Sequence, residues 1–391
     1  MKKILAVLLL LCMAFSLVAC GGDVASTDSE GGNTSTNSGA NASSDRPSDS
    51  SSDGSSDVVT DSITDGGSVT DSVTGPTSTD VVVPPTSNAA PNLVMATDQL
   101  QGRLVIYDFD RYKEGDTLED LEVWSVKTGH AAGLKYREDT VLGDVVLVGG
   151  STSYIFEYPS GKVLWSTPNP GSNTHSVELL PSGNIVFANS SGKCLRLFQT
   201  CILADPDSVE SGQAFTDYEL YDAHGVLWDP EYEVLWALGG KELRAYKVEG
   251  EGENETLVQV EGMGMEFSKE TPNGHDLSPD YTDSRYLYIT LDTGVYRFDK
   301  KTNELIEDID NKDLLSGNYI KGFSNNQNGN FFSSIATGGA GLSWENWANA
   351  SWCTALINYF YYDDSGVLQK VSVAAEESAY YKVRAFCGAY Q

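Results

Sequence analysis

Three histidines recur along this chain at intervals of about 50 residues, and each opens a similar segment. His175 begins His-Ser-Val-Glu-Leu-Leu-Pro, His224 begins His-Gly-Val-Leu-Trp-Asp-Pro, and His275 begins His-Asp-Leu-Ser-Pro. A short run rich in β-branched and aromatic residues follows each proline, which is the pattern of a β-strand. A repeat of this length with several strands in each unit is typical of a β-propeller, whose blades surround a central axis.

The period also predicts the number of blades. About 300 residues follow the N-terminal low-complexity region, so units of about 50 residues predict six blades. Strand-like segments near Leu93, Leu104 and Val123 leave the first blade one strand short, whereas Tyr381-Lys-Val-Arg-Ala-Phe is left over at the C-terminus. We expect this last segment to complete blade one from the inside, because ring closure removes exposed sheet edges. A β-sandwich is the competing architecture, but it would not explain the period.

The N-terminus has the features of an export signal. Met1-Lys-Lys supplies positive charge, and Ile4 to Val18 is an apolar run too short for a stable membrane span. Leu17-Val-Ala-Cys20 resembles the lipobox of bacterial lipoproteins. The resemblance implies that residues 1–19 are removed and that a lipid on Cys20 anchors the protein to the outer, extracytoplasmic face of the bacterial cell membrane. An ordinary secretory signal that is cleaved nearby is the alternative.

Residues 20–92 consist mainly of Ser, Thr, Asp, Gly and Asn, with almost no large apolar side chain. Such a segment cannot offset its conformational entropy by burial, so the composition predicts a disordered tether. A flexible coil of about 72 residues has a mean reach of about 45–50 Å. The formal net charge of −31 argues against a nucleic-acid partner, because phosphate binding needs a basic face. We expect a monomer.

Four cysteines remain once Cys12 leaves with the signal and Cys20 carries the lipid: Cys194, Cys201, Cys353 and Cys387. An even number in an exported protein allows three disulfide pairings. A bridge between Cys194 and Cys201 would close a small loop. A bridge between Cys353 and Cys387 would hold the C-terminus to the last blade. Free buried thiols are the alternative, and the spacing is unlike that of zinc sites.

Alignment of the predicted inner strands places basic and imidazole side chains around one axis. The Lys-x-Arg spacing of blades one and two puts both cations on one face of a strand, because side chains alternate with a period of two. The residues predicted to bind a ligand at this ring are Lys382, Arg384, Lys135, Arg137, His175, His224, His275 and Lys321. In so acidic a protein, they predict a site for an anionic ligand, such as an acidic oligosaccharide or a cell-wall polymer. Passive hydrogen bonding across blades is the alternative.

Three imidazoles at one channel, His175, His224 and His275, could also hold a divalent metal such as Mn, Zn or Ni. This combination is similar in residue types to propeller polysaccharide lyases such as oligogalacturonate lyase, which pair a histidine-bound metal with basic residues. The similarity implies β-elimination, in which a metal or guanidinium neutralises a uronate carboxylate and a base removes the adjacent proton. Glycoside hydrolysis stays open as well, because the carboxylates Glu178, Asp229 and Asp276 lie near the ring.

The last predicted blade contains a glycine-rich segment that starts at Thr337 and carries three tryptophans. Exposed tryptophans offer flat surfaces to sugar rings, and we predict this role for Trp344 and Trp347. Trp352 stands next to a strand and is expected to pack against the blade. His130 is out of register with the other histidines, and we interpret it as an ordinary loop residue.

The pattern Thr174-His-Ser-Val-Glu-Leu-Leu-Pro-Ser-Gly-Asn-Ile-Val-Phe-Ala, with Tyr381-Lys-Val-Arg near the end, resembles a family of uncharacterised bacterial exported six-bladed propellers of the TolB-like superfamily. The resemblance covers roughly residues 92–391 and implies the fold without a particular activity. The sequence therefore predicts an all-β, six-bladed propeller over residues 93–391 that binds a small ligand at its channel, with enzymatic turnover left open. A non-catalytic scaffold, or a module that recognises protein or cell-wall polymer, is the alternative function.

Overall fold

The computed structural model describes most residues from 92 to 388, and their strands form six four-stranded antiparallel sheets. Those residues are 92–140, 142–168, 170–199, 214–268, 272–336 and 352–388. All of them belong to one compact unit, Pro76–Gln391. The predictions for the signal segment, the tether up to residue 91, Cys20, Cys201, Trp344 and Trp347 lie outside the described residues.

The first blade combines strands from both ends of the described chain. Three strands come from its start, namely β1 (Leu93–Asp98), β2 (Arg103–Asp108) and β3 (Glu122–Lys127). The fourth, β24 (Tyr380–Ala385), pairs with β1 in an antiparallel ladder, which gives the order β24-β1-β2-β3. The last strand in the chain therefore occupies the inner edge of the first sheet.

The other five blades each consist of four consecutive strands. Blades two and three contain β4 (Ala131–Thr140), β5 (Gly143–Gly150), β6 (Ser153–Glu157), β7 (Val163–Thr167), β8 (Thr174–Leu179), β9 (Ile185–Asn189), β10 (Cys194–Phe198) and β11 (Phe215–Glu219). Blades four and five contain β12 (Gly225–Asp229), β13 (Val234–Leu238), β14 (Glu242–Glu249), β15 (Thr256–Glu266), β16 (Asp276–Pro279), β17 (Tyr286–Leu291), β18 (Gly294–Asp299) and β19 (Glu304–Ile306). Blade six contains β20 (Ile320–Asn325), β21 (Phe331–Ile335), β22 (Leu356–Tyr362) and β23 (Leu368–Ala374).

Helical structure is confined to short pieces in the described part of the chain. Two α-helical turns, α1 (Leu118–Leu121) and α2 (Lys312–Leu315), and two 3-10 turns, Phe109–Arg111 and Gly252–Asn254, lie in connections between strands. No described helix has the length and apolarity of a membrane-spanning segment.

The inner strands β24, β4, β8, β12, β16 and β20 contact one another in sequence and so complete a ring. They all run in the same direction along the channel, so their N-terminal ends share one end of it, which we call the histidine end. His175 lies at the start of β8, and His224 and His275 immediately precede β12 and β16. This arrangement confirms the six-bladed propeller that the histidine period predicts.

Burial explains why each position in a blade has its own residue pattern. The second strands, such as β9 and β13, lie between neighbouring blades, so all of their residues are buried and most are apolar. The outer strand β11 alternates between exposed and half-buried residues, because only one of its faces meets another blade. Clusters of apolar side chains consequently fill the spaces between adjacent blades rather than a single central core.

Glycines set the distance between inner strands. Gly133, Gly225 and Gly322 lie on the inner strands of blades two, four and six. A Cβ added at any of them would lie only 2.5–2.8 Å from an atom of the next inner strand, which is β8, β16 or β24 respectively. Neighbouring inner strands therefore approach in pairs too closely for any side chain at these positions.

The cysteines do not form the C-terminal bridge that was considered from the sequence. Cys353 is a free, buried thiol whose Sγ lies 3.4 Å from Oε1 of Gln99, so the bridge between Cys353 and Cys387 is absent. Burial raises the pKa of the Cys353 thiol to about 12, which keeps it protonated. Cys194 is also a free, buried thiol. Packing between blades, rather than a crosslink, holds these residues.

Candidate functional site

The basic pair of blade two ends in a buried ion cluster. Nη2 of Arg137 on β4 lies 2.7 and 2.6 Å from the two carboxylate oxygens of Glu178 on β8. Nζ of Lys135 lies 3.6 Å from the same carboxylate and donates to the carbonyl oxygen of Val177 at 2.8 Å. It also donates to the carbonyl oxygen of Val226, two blades away on β12. This cluster joins blades two, three and four.

The basic pair of blade one reaches across the channel in a similar way. Nη2 of Arg384 and Nζ of Lys382 lie 2.7 and 3.2 Å from Oδ1 of Asp276, which opens β16 in blade five. Nζ of Lys382 also lies 3.2 Å from the carbonyl oxygen of His224. Burial by itself would raise the pKa of Asp276, but Arg384 and Lys382 outweigh it and lower the pKa. The carboxyl is therefore ionised and lies between the two cations.

The contacts with Glu178 and Asp276 affect whether the four channel cations can bind a ligand. The four cations predicted as ligand-binding residues are only 2–7% exposed, and each of them already contacts a buried carboxylate, Glu178 or Asp276. Backbone N–H groups of Trp228 and Phe323 donate to the same two carboxylates at 3.0 Å. We therefore assign Lys135, Arg137, Lys382 and Arg384 to the buried structure of the channel, where each replaces water with protein partners.

The three repeated histidines meet at the histidine end. The rings of His175 and His224 stack with centroids 4.1 Å apart and an interplanar angle of 27°, and the rings of His224 and His275 are 5.3 Å apart at 79°. Residues separated by about 50 positions in the chain thus become direct neighbours. Each imidazole also has a hydrogen-bond partner outside the cluster.

Hydrogen bonds and burial keep this cluster neutral. Nδ1 of His175 lies 3.0 Å from the hydroxyl of Tyr381 on β24, and Nδ1 of His224 lies 2.8 Å from the carbonyl oxygen of Asp222. Burial lowers the pKa of His175 and of His224 well below the usual range, and repulsion from the neighbouring imidazoles and Lys382 adds to this effect. Both rings are therefore uncharged near pH 7.

His275 has two competing partners on one nitrogen. Its Nε2 lies 2.8 Å from Oδ1 of Asp292 and 2.9 Å from Nζ of Lys321. A neutral imidazole nitrogen either donates or accepts, so the tautomer of His275 selects one of the two contacts. Burial lowers the pKa of Lys321 to about 8, although Asp292 opposes this shift. Lys321 is the one member of the predicted cationic ring that contacts the histidines and is also partly exposed.

The metal expected from the sequence finds no ligand set here. Within the described ranges, no three His, Cys, Asp or Glu side chains are grouped so that they could hold a metal ion. His175 and His224 stack, and their Nδ1 atoms contact different partners, so these two nitrogens do not converge on one point. The arrangement instead suits proton transfer and hydrogen bonding by neutral rings.

A cavity of about 680 Å³ opens at the histidine end between blades one, two, three and six. The described residues that line it carry no Lys, Arg, Asp or Glu side chain. Its walls combine uncharged polar groups and rings, which include His130, Ser151, Asn173, His175, Trp352 and Tyr381. Such a lining is typical of a site that recognises hydroxyl groups and a flat ring.

Two of these residues were not expected in a site: Trp352 was expected to pack against the blade, and His130 was interpreted as an ordinary loop residue. Trp352 is 44% exposed and lines the cavity, and its indole N–H donates to Oε1 of Gln99 at 3.0 Å. His130 does lie in a loop, as the sequence predicts, and it also forms part of the cavity wall. It directly precedes the inner strand β4, just as His224 precedes β12. Its interval to His175 is shorter than the intervals between the other three histidines, and this concealed the register.

Comparison with known proteins bears on the fold. A putative 6-phosphogluconolactonase from Bacteroides uniformis has a TM-score of 0.50 at 10% identity, with 75% of this chain and 98% of that chain covered. A protein of unknown function from Bacteroides caccae has a TM-score of 0.49 at 11% identity, with 76% of this chain and 98% of that chain covered. Identities this low show the fold alone.

No curated protein matches the chain. The segment that matches a family model runs from β5 in blade two to β21 in blade six, so it contains all three repeated histidines. This chain is therefore a six-bladed β-propeller whose residues 145–333 match the model of DUF6528, a family of unknown function.

Proposed function

We propose that this protein is a lipid-anchored, extracytoplasmic propeller that binds a saccharide in the cavity at the histidine end. A lipid on Cys20 would hold the chain at the outer face of the cell membrane, and residues 20–92 would act as the tether. The propeller would then reach saccharides of the cell surface or its surroundings. The observation that carries the proposal is the uncharged, ring-containing wall of the cavity.

The size and chemistry of the cavity both support a sugar. Its volume of about 680 Å³ falls within the range of about 300–1,000 Å³ that is common for small-molecule sites. The exposed indole of Trp352 can stack on the C–H face of a sugar ring. Asn173, Ser151 and His130 supply donors and acceptors for hydroxyl groups.

The contact between His175 and Tyr381 supplies acid–base chemistry at the cavity wall. In a β-elimination, His175 would take the proton from the carbon next to a uronate carboxylate, a C=C bond would form, and the glycosidic C–O bond would break. Burial raises the pKa of Tyr381, so its phenol is protonated and can give its proton to the leaving oxygen. The hydrogen bond between the two side chains then lets the proton on His175 return to Tyr381. Elimination is therefore the turnover that this geometry supports.

Calorimetric titration of the full-length protein with neutral and acidic oligosaccharides tests the proposal. We expect Trp352→Ala and His175→Ala to weaken binding at least about tenfold, because each removes a contact worth about 1.4 kcal/mol or more. Tyr362→Ala is the control, since Tyr362 is similarly exposed but ends β22 at the opposite end of the channel.

The titrations, together with an ultraviolet absorbance assay for turnover, separate the proposal from its alternative. Tyr381→Phe should keep saccharide binding but abolish the rise in ultraviolet absorbance that a new conjugated C=C bond produces. If no saccharide binds, or if Trp352→Ala and Tyr362→Ala behave alike, the cavity is not a saccharide site. A non-catalytic scaffold or a module that recognises protein would then be the better description.

A further inference from the structure

An exposed tyrosine that two lysines contact lies at the histidine end, on the connection between blades three and four. The side chain of Tyr221 is 50% exposed there. Nζ of Lys193, from the turn between β9 and β10, lies 5.7 Å from the centroid of its ring. Nζ of Lys241, from the turn between β13 and β14, lies 5.6 Å from the same centroid. We call these three residues the Tyr221 platform.

The two lysines of the platform are not paired with carboxylates of the described residues. Neither ammonium forms a salt bridge with any residue in the described ranges, and both side chains are exposed. By contrast, the exposed Arg285 elsewhere on the propeller is paired with Asp299. The protein has a formal net charge of −31, so two lysines that contact one ring without a salt bridge to a described carboxylate form a local exception. An anionic group can approach them without displacing a protein carboxylate.

Backbone hydrogen bonds connect the platform to the cavity wall. Ser172 and Asn173 line the cavity, and the carbonyl oxygen of Ser172 accepts a hydrogen bond from the N–H of Gly192 at 3.2 Å. Lys193 follows Gly192 directly, and its carbonyl oxygen accepts from the N–H of Leu220 at 3.0 Å. Tyr221 follows Leu220. Two backbone hydrogen bonds therefore lead from the cavity wall to the platform at the same end of the propeller.

We infer that the Tyr221 platform binds a uronate unit of an acidic oligosaccharide whose neighbouring units occupy the cavity. The inference rests on the proposed saccharide site and names its substrate class as an acidic polymer. The C–H face of the sugar stacks on the tyrosine ring. The uronate carboxylate lies between the two ammonium groups, which bind it as point charges. The cavity itself has no charged lining residue, so the platform supplies selection for acid.

Titration of the full-length protein with galacturonate oligomers of increasing length, and with their methyl esters, tests this inference. We expect the double variant Lys193→Ala/Lys241→Ala to weaken binding of the long acidic oligomers about three- to tenfold at low salt. It should leave the methyl esters and the monosaccharide unaffected, because they lack a charge at the platform. Tyr221→Ala should weaken long oligomers of both kinds by a similar factor, because it removes the stacking surface.

The matched control is Lys162→Ala/Lys301→Ala. It changes the net charge by the same amount, but both exposed lysines lie in turns at the opposite end of the propeller. If the two double variants weaken acidic oligomers equally, the effect is long-range charge and the platform is not a subsite. If short saccharides bind and Trp352→Ala abolishes that binding, while oligomer length has no effect, the cavity stands and the platform fails. If the unmodified protein binds none of these saccharides, both proposals fail.

Discussion

Glu178 and Asp276 determine what the cations of the channel can do. Each carboxylate accepts hydrogen bonds from an arginine and a backbone N–H and also lies within ion-pair distance of a lysine. The desolvation cost of the buried cations is offset only while these partners are present. A ligand in this part of the channel would compete with an internal carboxylate that is already well placed.

Removal of the Glu178 charge should therefore cost more than removal of a surface charge. Glu178→Gln leaves Arg137 and Lys135 buried without their counterion, and we expect the free energy of unfolding to fall by about 3–5 kcal/mol. Asp217→Asn is the control, because Asp217 is 40% exposed and its pairing with Arg196 is worth about 0–1 kcal/mol. Urea unfolding of both variants measures the difference. Similar losses in the two variants would show that the channel pair is no more important than a surface pair.

Glycines on the inner strands of alternate blades allow each of these strands to approach the next inner strand closely. Gly133, Gly225 and Gly322 let pairs of neighbouring strands come close enough for side chains to bond across the channel. The pair β20 and β24 matters most for the ring, since β24 comes from the C-terminus and pairs with β1. At this interface a hydroxyl of Ser334 also donates to the carbonyl oxygen of Tyr381 at 2.7 Å.

Gly322→Ala should separate β20 from β24. The added Cβ would lie 2.5 Å from the backbone nitrogen of Val383, so the strands must move apart, and we expect a loss of about 1–3 kcal/mol of stability. Gly317→Ala is the matched control in the same blade, because its Cβ would meet only Cδ1 of Ile335 at an ordinary 3.7 Å. Thermal unfolding compares the two. An unchanged midpoint in Gly322→Ala would mean that the close approach is not required.

For the molecule as a whole, the proposed function depends on display at the membrane surface. The lipobox-like segment assigns the lipid to Cys20, and Cys12 lies in the part of the chain that is predicted to be removed. We expect Cys20→Ser to abolish incorporation of a labelled fatty acid in bacterial cells, whereas Cys12→Ser should be labelled normally. Label that persists in Cys20→Ser would show that the lipid is elsewhere or that the anchoring proposal is wrong.

The fold could be predicted because its signal repeats. Each blade repeats an inner strand, a buried apolar strand and two further strands, and this pattern is local in the chain, so the period appears before any tertiary contact is known. The site was harder to predict from the sequence than the fold. The register of His130 escaped recognition because its interval to His175 is shorter than the other two intervals, and the indole of Trp352 is hydrogen-bonded to Gln99, which belongs to a different blade. Glu178 and Asp276, which pair with the channel cations, are visible in the sequence, but they lie far along the chain from those cations, so the sequence does not indicate the pairing.

The sequence by itself determined the propeller, its six blades and the meeting of His175, His224 and His275, because strand patterns and their spacing are properties of consecutive residues. Only the tertiary structure decided that four of the predicted ligand-binding cations are buried beside two carboxylates, and that the cavity at the histidine end has no charged lining residue among those described. Both depend on side chains that reach across the ring from blades far apart in the chain. Electrostatic energy and burial depend on those distances in space, which spacing along the chain does not specify.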